Sequence, residues 1–169
     1  NPKIELEEVG VPHELKWNRC KLETISFGHG ITTTPLQATT TYAALINGGK
    51  LITPSLIKKR EIKNHNSIVS RETSEKLRYI LRKVVNSKDG TASLADKDGY
   101  YVGGKTGTAE SYGDKKDRIN TFISVFPAHN PNYSLFIMLE NPKINKELIY
   151  DYRGIKTKAP YNTSGWNSV

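Results

Sequence analysis

The chain has 169 residues, with 25 Lys+Arg against 17 Asp+Glu for a net charge of +8. That length allows one domain or a large piece of one, and 36% hydrophobic with 25% charged residues excludes a disordered polyelectrolyte. No apolar run reaches the roughly 18–20 residues of a bilayer span, and the single Cys20 excludes an intrachain disulfide and a cysteine-based zinc site.

The beginning, Asn1-Pro2-Lys3-Ile4-Glu5, has no initiating Met and no signal-peptide layout, and reads as the interior of a longer chain. Residues 1–25 are mixed, with little periodicity. A Gly-punctuated turn follows at Ser26-Phe27-Gly28-His29-Gly30-Ile31. Thr34, Pro35 and Gln37 then spell a capping box with proline at the first helical position. That helix should stop at Asn47-Gly48-Gly49, where glycine tolerates a left-handed cap.

Leu51-Ile52-Thr53-Pro54 and Leu56-Ile57 read as short extended segments. Ser70 caps a second helix, whose Leu77, Ile80, Leu81, Val84 and Val85 make one apolar stripe ending at Asp89-Gly90. A helical turn is expected at 91–95. Between Lys50 and Lys88 lie eleven Lys/Arg and three Asp/Glu, +8 in all, while the remainder sums to zero. Such a stretch could attract an anionic polymer, but it also reads as the solvated side of an amphipathic helix.

Beyond residue 98 the pattern turns to β. Tyr100-Tyr101-Val102 leads through Gly103-Gly104 into Lys105-Thr106-Gly107-Thr108-Ala109; residues 121–126 and 133–139 follow as strands around a Pro/Asn-rich turn. Short connections imply an antiparallel meander, and helices first with strands after imply an α/β fold in the α+β arrangement, helices packed on an antiparallel sheet. The expected organisation is one partial domain over 1–169: a mainly helical part at 20–95, the meander at 99–142, and a loop-like segment at 143–169. His13, His29, His65 and His129 show no metal-ligand spacing.

The stretch 104–109 fits two chemistries. Gly99-Tyr100-Tyr101-Val102-Gly103-Gly104-Lys105-Thr106 satisfies the phosphate-loop pattern GxxxxGK[ST]. A phosphate loop needs a strand before it and a helix directly after its Lys-Thr. Residues 92–98 are not strand-like, and after Thr106 come glycines and charge. The other reading is the K-T-G element of serine enzymes that recognise penicillin. There a strand lysine supports the nucleophile, hydroxyls bind a carboxylate, Gly107 admits substrate backbone, and strand N–H groups stabilise an oxyanion.

Taken with Ser26-Phe27-Gly28-His29-Gly30-Ile31, Tyr42-Ala43-Ala44-Leu45-Ile46-Asn47-Gly48-Gly49, Gly90-Thr91-Ala92, Phe126-Pro127 and the closing Ala159-Pro160-Tyr161-Asn162-Thr163-Ser164-Gly165-Trp166-Asn167, this stretch resembles class B penicillin-binding proteins. The closest resemblance is to division-specific (septal) peptidoglycan D,D-transpeptidases, over about residues 20–142. It implies the C-terminal portion of a β-lactamase-like transpeptidase domain. Lys105 and Thr108 would be catalytic, Thr106, Gly107 and Thr108 would bind substrate, and the Thr108 N–H would be an oxyanion donor. Partners implied are the D-Ala-D-Ala stem peptide, β-lactams and other cell-wall or division proteins, with no nucleic acid, and the implied activity calls for no metal and no organic cofactor. The implied location is the periplasmic face of the inner membrane, with the anchor outside this chain.

The sequence departs from that pattern in two places. No Ser-x-Asn occurs, and the one Ser-x-x-Lys, Ser55-Leu56-Ile57-Lys58, follows a proline in an extended stretch rather than opening a helix. Ser55 is therefore read as structural, and the nucleophile is expected outside these residues. By themselves they should give no turnover and no covalent penicillin adduct. Two readings stay open beside the enzyme: a basic, non-catalytic module that binds anionic polymer, and nucleotide binding at 99–106.

Overall fold

A computed structural model describes residues 17–58, 67–110, 118–152 and 155–161. In chain order the elements are α1 (Lys21–Ile25), α2 (Pro35–Ile46), α3 (Arg71–Asn86), a 3-10 turn (Ser93–Ala95), β1 (Gly103–Glu110), β2 (Arg118–Phe126), β3 (Tyr133–Glu140), β4 (Asn145–Tyr152) and β5 (Ile155–Tyr161).

Both long helices start where side-chain chemistry closes their orphan N–H groups. Thr34 Oγ1 accepts from Gln37 N at 3.1 Å while Gln37 Oε1 accepts from Thr34 N at 3.0 Å. Ser70 Oγ accepts from Thr73 N at 3.1 Å. Caps of this kind contribute about 1 kcal/mol each. After α2 the chain folds back on Asn47, whose side chain bridges Lys50 N and O at 2.9 and 2.8 Å. Gly49, at φ 87°, lies so close to Val69 that a Cβ would fall 2.1 Å from its carbonyl oxygen. Buried Ser74 then accepts from Gly48 N at 2.9 Å and ties this turn to α3.

The three-stranded sheet has the order β1-β2-β3, antiparallel throughout. Phe122, Ile123, Ser124 and Val125 are all buried. Successive strand residues point to opposite faces, so β2 is covered on both. One apolar cluster joins Ile46, Leu81 and Val125, with Tyr42 against it; the other joins Val85, Ala92 and Phe122, with Val84, Ala95, Val102 and Ile137. Leu81 and Val85, one turn apart on α3, thus anchor the helix to both. Gly103 and Gly104 make this approach possible. A Cβ on Gly103 would lie 3.2 Å from Arg82 N, and one on Gly104 only 2.6 Å from the Phe122 ring.

The antiparallel meander and the helices packed on it follow the sequence expectation. Five local details differ. Ile80, expected in the buried stripe, is 53% exposed, because only the Leu81–Val85 line faces the sheet. Residues 51–57 form no strand; the one pairing nearby is the bridge between Lys50 and Ser67. Tyr100 ends a turn over 98–100 and Tyr101 and Val102 are not in the strand: Gly99 and Tyr101 both have positive φ, and β1 begins only at Gly103. Short α1 was not legible in the mixed residues 1–25. Finally, the segment read as loop carries β4 paired with β5, a separate two-stranded sheet. Its β-formers Leu148, Ile149, Tyr150, Tyr152 and Ile155 are diluted by charged neighbours, which hid the strands.

Candidate active site

β1 is the outer strand of its sheet. Its register sets Lys105 opposite Ile123, Thr106 opposite Phe122, Gly107 opposite Thr121 and Thr108 opposite Asn120. Pairing with β2 uses one edge of β1. The other edge is free of sheet partners among the described residues, which leaves alternate N–H and C=O groups open to a ligand.

Strand alternation sends Lys105 and Gly107 to one face and Thr106 and Thr108 to the other. A ligand meeting all four must therefore lie along the edge, where both sets reach it. Lys105 and Thr108 are exposed; Thr106 and Gly107 are half-buried. Lys105 Nζ donates to the Thr106 carbonyl oxygen at 2.7 Å, which holds the ammonium beside the strand. A Cβ on Gly107 would fall 2.5 Å from Thr121 Oγ1, so here the missing side chain accommodates the neighbouring strand's hydroxyl.

Thr91 was read only as part of a motif, yet its Oγ1 lies 3.1 Å from Thr106 Oγ1. Periodicity could not have shown this, because the contact joins a loop to a strand fifteen residues on. The sole sequence signal was the Gly90-Thr91-Ala92 string. Gly90 packs on the end of α3, where a Cβ would fall 2.1 Å from Val84 O. Ala92 is fully buried, and its N–H donates to Val84 O at 3.3 Å. Thr91 is pinned between them.

Other sequence candidates fall away from this edge. Ser55 Oγ accepts from Ile57 N at 3.1 Å and donates to Ile57 O at 2.7 Å, in an exposed irregular stretch that opens no helix. The chain after Lys105-Thr106 continues as strand to Glu110, so the helix that a phosphate loop requires is missing and the nucleotide reading is set aside. On α3, Arg71 and Lys76 face solvent in ion pairs, Arg71–Glu75 at 3.1 Å and Lys76–Glu72 at 2.6 Å, as expected of a solvated helix face, while Arg78 and Arg82 are partly buried and donate to the Ile46 and Val102 carbonyl oxygens. Lys59, Arg60 and Lys63 lie outside the described residues, as do residues 111–117 and 162–169. Among the described residues no group of three or more His, Cys, Asp or Glu could hold a metal ion. No helix among them is long and apolar enough to cross a membrane.

A groove of about 360 Å³ lies elsewhere, lined by Glu75, Arg78, Tyr79, Arg82, Tyr101, Ala128 and His129. It includes no K-T-G residue. The strand edge combines a cation, two hydroxyls and backbone groups with no sheet partner among the described residues, whereas the groove's Arg82 is already committed to Asp96 and to Val102 O, both at 2.8 Å.

The chain is 38% identical over 136 residues to Stage V sporulation protein D of Bacillus subtilis (strain 168), covering 71% of this chain and 21% of that protein. It is 31% identical over 179 residues to the probable peptidoglycan D,D-transpeptidase FtsI of Caulobacter vibrioides, covering 97% and 28%. The chain thus spans between a fifth and a third of these relatives. In structure it superposes on the apo transpeptidase domain of Burkholderia pseudomallei penicillin-binding protein 3 with a TM-score of 0.76 at 26% identity, covering 83% of this chain and 45% of that one. The family model of the penicillin binding protein transpeptidase domain matches residues 3–162. Helices on an antiparallel sheet, a K-T-G strand at its rim and a family match over nearly the whole length agree, and the chain belongs to the penicillin-binding protein transpeptidase domain family.

Proposed function

We propose that this chain supplies the K-T-G wall of the active site of a class B, septal-type peptidoglycan D,D-transpeptidase. In that reaction a serine attacks the D-Ala-D-Ala amide of a stem peptide, the terminal D-Ala leaves, and an amine of a neighbouring strand takes the acyl group. β-Lactams acylate the same serine. The observation that carries the reading is that Lys105, Thr106, Gly107 and Thr108 follow one another on β1, whose outer edge has no sheet partner among the described residues, in a member of this family.

Each residue has a role on that edge. The Lys105 ammonium favours negative charge next to it and supports proton movement at the attacking serine. The Thr106 and Thr108 hydroxyls donate to the substrate carboxylate. The Thr106 carbonyl faces the Lys105 ammonium. Thr108, two residues on, shares its backbone orientation and so can turn its N–H toward a developing oxyanion. Gly107 keeps the strand slim where peptide backbone passes. The nucleophile is a Ser-x-x-Lys serine other than Ser55, whose hydroxyl is closed on its own turn. The names of the relatives, a sporulation protein and an FtsI-type transpeptidase, support cell-wall cross-linking at division or a related septum. That chemistry sets the domain at the periplasmic face of the inner membrane among other cell-wall synthesis and division proteins.

The test is acylation of the full-length natural protein by a fluorescent penicillin. Lys105→Ala should slow acylation by about 10²–10⁴-fold. Unchanged labelling of that variant would overturn the assignment.

A further inference from the structure

Thr106 Oγ1 and Thr91 Oγ1 lie 3.1 Å apart, and either could donate. A hydroxyl has one proton and two lone pairs. If the Thr106 proton is to point at a ligand carboxylate, the contact with Thr91 must be one that Thr106 accepts. From this geometry we infer that Thr91 is a positioning residue: it donates to Thr106 and so aims the Thr106 proton along the open edge of β1 at an anionic carboxylate. This rests on the reading of Thr106 as a carboxylate-binding hydroxyl.

Three features fix Thr91 in that role. Gly90 has no room for a side chain against Val84 O, Ala92 is fully buried in the cluster with Val85 and Phe122, and Ser93 N closes the turn on Gly90 O at 3.2 Å. The loop cannot drift without disturbing the core. Thr106 is equally fixed, because Phe122 opposite it is core. Two hydroxyls held by two parts of one core keep their separation without a ligand. Donation into Thr106 also polarises its O–H, which strengthens a bond to a charged acceptor more than one to a neutral acceptor.

The experiment compares a penicillin carrying its free carboxylate with its methyl ester, in the full-length natural protein. The readout is the ratio of their second-order acylation rate constants. Thr106→Val should collapse this ratio. Thr91→Val, which keeps shape and removes only the hydroxyl, should lower it about 5- to 10-fold. Thr91→Ser should restore it, and Thr91→Val should add nothing in a Thr106→Val background. If Thr106→Val leaves the ratio unchanged, the carboxylate role of Thr106 falls. If Thr106→Val collapses it while Thr91→Val does not, the positioning role alone falls. Thr91 is exposed, so the variants should fold. Thr91→Ala serves as a second truncation, and a ratio at the parent value in that variant would equally refute the inference.

Discussion

Replacing Gly90 by Ala tests how tightly the turn after α3 supports the site. The new Cβ would stand 2.1 Å from Val84 O and 2.8 Å from Val84 C, whereas ordinary contact begins at 3.4 Å. Turn and helix end must therefore part by about 1.3 Å, the difference between 3.4 and 2.1 Å. Both obstructing atoms are backbone, so no side chain can rotate away. Overpacking of this kind costs about 1–3 kcal/mol. The 3.3 Å bond from Ala92 N to Val84 O would open as well, adding about 1 kcal/mol. Loss of glycine's freedom in the unfolded chain offsets about 0.4–1 kcal/mol. The net expectation is destabilisation by about 1–3.6 kcal/mol, or about 2–14 °C in Tm at this chain length. Thermal unfolding of the full chain followed by circular dichroism measures it. The carboxylate ratio described for Thr91 should fall in parallel, because the turn that carries Thr91 shifts. A Gly90→Ala protein melting at or above the parent Tm would refute the close approach of turn and helix.

Core and pH provide two more checks. Val85 is fully buried between α3 and Phe122, so Val85→Ala should cost about 2 kcal/mol; Ile80→Ala, at a 53% exposed position, should cost clearly less. Urea midpoints at constant m-value separate them, and equal losses would contradict the packing. Burial raises the Tyr42 phenol above its ordinary 10.0. The neutral phenol is favoured in the folded state, so its stability contribution is intact below about pH 10 and is lost as pH rises through the higher folded value. The Tm of Tyr42→Phe relative to the parent should therefore rise between about pH 8 and about pH 11; a constant difference would show that Tyr42 titrates as it does in the unfolded chain.

What the sequence determined by itself is whatever depends on neighbours in the chain. Thr34-Pro35 with Gln37, and Ser70 with Thr73, locate both long helices because a cap is chemistry within three residues. Runs of strand-forming residues joined by a short turn located β2 and β3, with the Lys105–Ala109 strand ahead of them. Lys105-Thr106-Gly107-Thr108 suggested the chemistry proposed above, because a cation, a glycine and two hydroxyls within four residues are legible from neighbours in the chain alone. The charged dilution of residues 145–161 concealed a hairpin, and a five-residue helix with no side-chain cap left no pattern to read at 21–25. Only the tertiary structure decided which edge of the sheet stays unpaired, why Gly103 and Gly104 precede Lys105, and that Thr91 meets Thr106. Those facts depend on where α3 and Phe122 press against β1. Packing of that kind is settled between residues distant in the chain, whose spacing carries no period for a sequence to display.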